Sequence, residues 1–131
     1  MRRLALAAVL VGVVLGESDA AETPAAHRHR VGILSGLAAS TAEFERGMAS
    51  FRDTLATAGW VEGRNLVLDV RLAGGRMERA PDLAAELVGL KPDILVVSGN
   101  PMIVAAKRST ATIPIVMINA GDPVGTGLVA S

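Results

Sequence analysis

From Val31 onward, short apolar runs alternate with longer segments in which apolar residues recur at helical spacing. Val31-Gly32-Ile33-Leu34 reads as a first strand, and Ser35-Gly36 follows it. In the next polar stretch Ser40 and Glu43 have the spacing of a capping box. Phe44, Met48, Phe51 and Leu55 then share one helical face, with Glu45, Arg46, Arg52 and Asp53 off it, and Gly59 is placed to end the helix as its C′ residue. Leu66, Leu68, Val70 and Leu72 alternate with other residues, among them Asp69 and Arg71, the period of a strand less fully covered than its neighbours, as at a sheet edge. A helix is expected from about Glu78 to Leu90, with Leu83, Leu87 and Leu90 on one side and Pro81 acceptable only in its first turn. Asp93 to Val97 gives a buried strand, Pro101 to about Ser109 a helix, and Ile113 to Ile118 a fourth strand with Pro114 near its start. After Asn119-Ala120-Gly121-Asp122-Pro123 the sequence predicts the beginning of a fourth helix.

Strands and helices in strict alternation predict a parallel sheet covered on both faces, a three-layer α/β sandwich with an open sheet. Right-handed crossovers give the strand order 2-1-3-4, in which the chain reverses direction between the first and third strands. In open sheets of this kind ligands bind outside the carboxyl ends of the strands at that switch point. The loops there are Ser35-Gly36 and Ser98-Gly99-Asn100-Pro101. Both are small and bear hydroxyl or amide groups, so they can offer donors to a carboxylate without crowding the crevice. The second loop also opens a helix whose first N–H groups lack internal partners. A bare strand-to-helix connection, with Asn100 as N-cap and Pro101 at the first helical position, accounts for the same residues.

Composition narrows the function. Of 131 residues half are hydrophobic, yet there are only two Phe, one Trp and no Tyr, so a single core must be built from Leu, Val, Ile and Ala. Thirteen basic residues balance thirteen acidic ones without a basic stripe, which argues against nucleic acid as a partner. The first twenty residues read as a signal peptide: Met1-Arg2-Arg3 is the positive region, Leu4 to Leu15 the apolar one, and Ser18-Asp19-Ala20 the small-residue site, with cleavage expected after Ala20. That apolar stretch is shorter than the ~20 residues a membrane-spanning helix needs. Residues 21–30 read as a linker. Within it His27 and His29 could approach one metal, but Arg28 and Arg30 would repel a cation and no third ligand is near. With no cysteine in the chain there is neither a lipid attachment point nor a disulfide. No glycine-rich dinucleotide fingerprint, Walker motif or nucleophile elbow occurs, so no cofactor, metal or catalytic set is expected. Asp122, at a strand end, is the one acid on which an exported enzyme could rest.

Six blocks together carry a resemblance: Val31-Gly32-Ile33-Leu34-Ser35, Gly59-Trp60-Val61-Glu62-Gly63-Arg64-Asn65, Leu83-Ala84-Ala85-Glu86-Leu87-Val88, Ser98-Gly99-Asn100-Pro101, Thr112-Ile113-Pro114-Ile115-Val116 and the run from Gly121-Asp122-Pro123 to Ser131. In order and spacing they resemble the ABC transporter substrate-binding protein family related to tryptophan-binding TrpX-type proteins. The resemblance implies a periplasmic binding protein of the type I class. Such a protein is a monomer of two α/β lobes that closes on an amino acid or related small solute and delivers it to a membrane permease. Carried over by position, Ser35, Gly36, Ser98, Gly99, Asn100 and Pro101 would hold the ligand, with Asp122 and Pro123 lining the cleft. Asn100 departs from the family's frequent Thr, exchanging a hydroxyl for an amide. Residues 31–131 correspond to an incomplete first lobe with no second lobe, so a truncated product without binding activity is the competing reading.

Overall fold

In the computed structural model residues 28–38, 41–125, 127 and 129 are described. The expected leader with its Ala20 cleavage point, most of the linker, His27 and Ser40 lie outside them. Four parallel strands, β1 (His29–Ser35), β2 (Leu66–Leu72), β3 (Ile94–Ser98) and β4 (Ile115–Ile118), form one sheet in the order β2-β1-β3-β4. This is the order that right-handed crossovers predict, and β2 is an edge strand as its alternation implies. β1 starts two residues inside the expected linker, because His29 and Arg30 pair with Leu66 and Val67.

Helix α1 (Ala42–Thr57) covers one face of the sheet, and α2 (Ala80–Gly89) and α3 (Asn100–Ser109) cover the other. Strand alternation sorts the side chains between them. Val31, Ile33, Leu66, Leu68, Val70, Ile94 and Val96 meet Phe44, Met48, Phe51 and Leu55 of α1. Leu34, Leu95 and Val97 are buried with Leu83, Leu87, Met102 and Ile103 of α2 and α3. Gly32 leaves room for Leu95 of β3 and Leu87 of α2, since a Cβ there would stand 2.7 Å from Leu95 Cδ2 and 3.4 Å from Leu87 Cδ2.

The helix ends differ from expectation in instructive ways. α1 is capped by Thr41, whose Oγ1 accepts from Phe44 N–H at 3.2 Å, rather than from the Ser40 position. It closes as predicted at Gly59 (φ +97°), with Gly59 N–H donating to Ala56 O and Trp60 N–H to Leu55 O. α2 begins at Ala80 after a 3₁₀ turn over Met77–Arg79, which leaves Pro81 in the first turn where its missing N–H is not needed. β4 begins at Ile115, after Pro114, whose carbonyl accepts from Leu95 N–H. No fourth helix starts among the described residues after Pro123; they form turns instead. Asp122 Oδ1 takes the Gly125 N–H at 3.0 Å, and Gly127 adopts φ +76° with its N–H on Val124 O. Asx-turn chemistry and a left-handed glycine outcompete the helix there.

Candidate functional site

Ser35 and Ser98 are register partners at the carboxyl ends of β1 and β3, and Ser98 is in turn the partner of Ile118. All three fall on the α1 side of the sheet, the two serines at the switch point. Ser35 is buried, and its Oγ accepts from Leu37 N–H at 3.2 Å. The loop behind it is held from below by the β2 loop. Ala73 N–H donates to Ser35 O, Gly75 N–H to Gly36 O and Gly74 N–H to Leu37 O at 2.7–3.1 Å. Gly74-Gly75 therefore backs the first loop structurally, and a Cβ on Gly36 would press on Met77 Cε at 3.0 Å.

Gly99, not Asn100, is the N-cap of α3. Its φ of +94° turns the chain out of β3, while its N–H stays on Ile118 O and its carbonyl receives Ile103 N–H. Asn100 has a different task from the one expected of it. Its Nδ2 donates to Gly121 O at 3.1 Å and its Oδ1 accepts from Gly121 N–H at 3.0 Å, a two-bond clamp that ties the β3 loop to the β4 loop. Pro101 follows in the first turn, exposed. Through that clamp the segment carrying Asp122 and Pro123 is brought beside the β3 loop. The Asp122 carboxylate is committed to the turn: it binds Gly125 N–H, and a side chain at Gly125 would collide with it. Pro123 is half-buried, its carbonyl accepting from Val129 N–H.

Thus all eight residues expected at the site lie at the carboxyl ends of β1, β3 and β4, in the last strand residues, the loops after them and the first turn of α3, and they divide by role. Ser35 and Ser98 offer hydroxyls, whereas Gly36, Gly99, Asn100 and Asp122 shape and join the loops. Sequence reasoning missed Asn119, which stands at φ +54° and donates from Nδ2 to Ser98 Oγ at 3.3 Å. Only the β3–β4 register reveals it, because Asn119 directly follows the partner of Ser98. It also missed a groove of about 260 Å³ that runs from the two serines along the sheet between Ile33, Phe44, Phe51, Val96 and Ile118. Phe44 and Phe51 pack on the sheet as their helical spacing implies and line this groove as well. A shallower depression of about 520 Å³ over the β2 edge is crossed by the Arg71–Glu86 ion pair (2.8 Å) and lies away from the serines. Among the described residues no cluster of three or more His, Cys, Asp or Glu could hold a metal.

An open parallel sheet with donor-bearing loops at its switch point is the architecture in which α/β proteins place their ligands. Residues 38–131 match the model of the ABC transporter substrate binding protein family, and the chain belongs to that family. The family is one of substrate-binding proteins rather than enzymes. The chain is 31% identical over 87 residues to the tyrosine-binding protein of Clostridioides difficile (strain R20291), covering 66% of this chain and 25% of that protein. Among solved structures it superposes on a conserved domain protein from Vibrio cholerae O1 biovar El Tor with a TM-score of 0.71 at 32% identity. It superposes on the ligand-free, open form of a substrate-binding protein with adhesive properties from Clostridium difficile with a TM-score of 0.70 at 25% identity. In both cases the match covers 79% of this chain and 34% of the other. A streptococcal ABC domain solved with L-Trp shares the fold, with a TM-score of 0.69 at 21% identity. The chain therefore spans about a quarter of the length of the curated relative and about a third of each solved one.

Proposed function

We propose that this chain forms the first lobe of an exported, two-lobed solute-binding protein. In this reading the lobe takes the carboxylate of an amino acid or related small solute at the ends of β1 and β3, and the complete protein, a monomer, hands the solute to an ABC permease. The observation that carries the proposal is the pairing of Ser35 and Ser98 in register at the switch point of the sheet. Family membership and a tyrosine-binding relative support an amino acid as ligand, with neutral donors in the two serine loops and Glu43 of α1 as the acidic residue lining the groove. The reading also includes a signal peptide cleaved after Ala20, the linker that follows it, and delivery to the periplasm. Asp122 is assigned a turn-forming role rather than that of a catalytic acid, because its carboxylate is engaged by the backbone of its own loop.

A ligand that binds only the folded protein raises the unfolding midpoint by mass action, by about 2.7 kcal/mol of stability at a hundred times Kd. Thermal unfolding of the full-length protein against a panel of amino acids and small carboxylates should show a shift confined to one solute class. Ser35→Ala with Ser98→Ala should abolish it. A shift unchanged in that double variant would sink the proposed site.

A further inference from the structure

The chain runs along β1 to Ser35, turns, and starts α1 at Ala42, so the first turn of that helix stands at the same end of the sheet as the two serines. Glu43, Gly47 and Phe51 follow at four-residue spacing, which sets them one below another on a single stripe of the helix. All three line the groove that begins at Ser35 and Ser98. The groove is therefore layered. Its upper layer has the two hydroxyls on the sheet side and the Glu43 carboxylate on the helix side. The next layer, one helical turn and two strand residues down, or about 6 Å, has Gly47 opposite Ile33 and Val96. It is open at the helix, since a Cβ on Gly47 would meet no atom within 4 Å. Phe51 closes the layer below.

Of the described residues that line the groove, Glu43 alone carries a charge, and among the described residues it makes no ion pair. A simple carboxylate brought to the serines meets that charge as repulsion. An α-amino acid does not. Its ammonium is bonded to the carbon that bears its carboxylate, so with the carboxylate at the serines the ammonium can turn to the helix side of the same layer, and the side chain runs down the apolar layers. We propose that Glu43 is a specificity-determining residue of the site: its carboxylate takes the solute's α-ammonium, so the site selects an apolar amino acid over the same carboxylate without its amino group. The inference rests on the proposed carboxylate site and adds the charge that chooses among carboxylates. A second acid, Glu45, shares the first turn of α1 and its interaction with the helix dipole, but lines the depression over the β2 edge instead. It separates a local contact from a general effect of charge.

The test is titration calorimetry on the full-length protein, with L-tyrosine, L-tryptophan and L-leucine each set against its des-amino acid: 3-(4-hydroxyphenyl)propionate, 3-(indol-3-yl)propionate and 4-methylpentanoate. In at least one pair the wild type should bind the amino acid more tightly by about tenfold or more. Glu43→Gln should reduce that preference by about tenfold, chiefly by raising the Kd of the amino acid. Glu45→Gln removes the same charge from the same turn and should leave the preference where it was. A wild type with no preference for the amino acid, a preference that survives Glu43→Gln, or one that falls as far in Glu45→Gln overturns the role of Glu43 and leaves the serine site standing. Binding of none of the six solutes overturns both.

Discussion

The two faces of the sheet are built from the same strands and finished differently. On the α2–α3 side every strand from β1 to β4 meets a helix, and Leu34, Leu87, Leu95, Val97, Met102 and Ile103 are all at or below 1% exposure. On the α1 side a single helix covers β1 and β2, and the cover stops short of β4, where Val116 and Ile118 stand 44% and 42% exposed. The right-handed crossover explains the asymmetry. The step from β1 out to β2 places its helix on one face, and the two steps back across the sheet place theirs on the other. Stability is therefore concentrated on the closed face. The groove and both site serines belong to the thinly covered one, where a binding surface can be left open without unpacking the core.

The sharpest way to break this comparison is a cavity on the closed face. Ile103→Ala, at a position with no exposure, should cost about 3–4 kcal/mol in urea or guanidinium unfolding. Overfilling the same face comes next: Gly32→Ala puts a methyl against Leu95 and Leu87 and should cost about 1–3 kcal/mol. Val116→Thr, on the bare part of the other face, should change stability by no more than about 0.5 kcal/mol. A loss comparable to that of Ile103→Ala would mean that the open face is covered in solution. The smallest effect is electrostatic. The Glu78 carboxyl is held below its usual value by its own backbone hydrogen bond and by the Arg76 guanidinium at 3.1 Å. Its contribution is present above the ordinary glutamate value and is lost as pH falls through the lowered one. A Glu78→Gln variant should therefore show a slightly flatter acid limb in stability against pH, and an unchanged limb would show that the pair is fully screened.

Much of this arrangement can be read from local pattern. The alternation of Leu66, Leu68, Val70 and Leu72 marks an edge strand because only one side of such a strand needs burial. Gly59 marks a helix end because only a residue at ease with positive φ closes that turn. The order 2-1-3-4 follows from chirality. What escapes the sequence is decided by partners far along the chain. Asn100 has the composition of an N-cap, but its side chain spans 21 residues to Gly121 and leaves the capping to Gly99. Asn119 reaches Ser98 Oγ only once β4 is set in register beside β3. Phe44 and Phe51 read as residues that pack on the sheet, and they do so half-buried; that they also wall a groove depends on how far α1 reaches across the sheet. Among the described residues after Asp122, one carboxylate bonding to Gly125 N–H sets a turn where the sequence predicts a helix.

The two edges of the sheet have opposite characters. β2 carries Asp69 and Arg71, each in an ion pair, to Arg30 at 2.6 Å and to Glu86 at 2.8 Å. Charges on an edge strand discourage a further strand from adding there. β4, Ile115-Val116-Met117-Ile118, has no charge and high strand propensity. The described sheet therefore has a direction: its guarded edge lies at β2 and its receptive edge at β4. Any strand added to the described sheet, from elsewhere in a chain or from a second protein, meets a charged barrier on the β2 side and none on the β4 side.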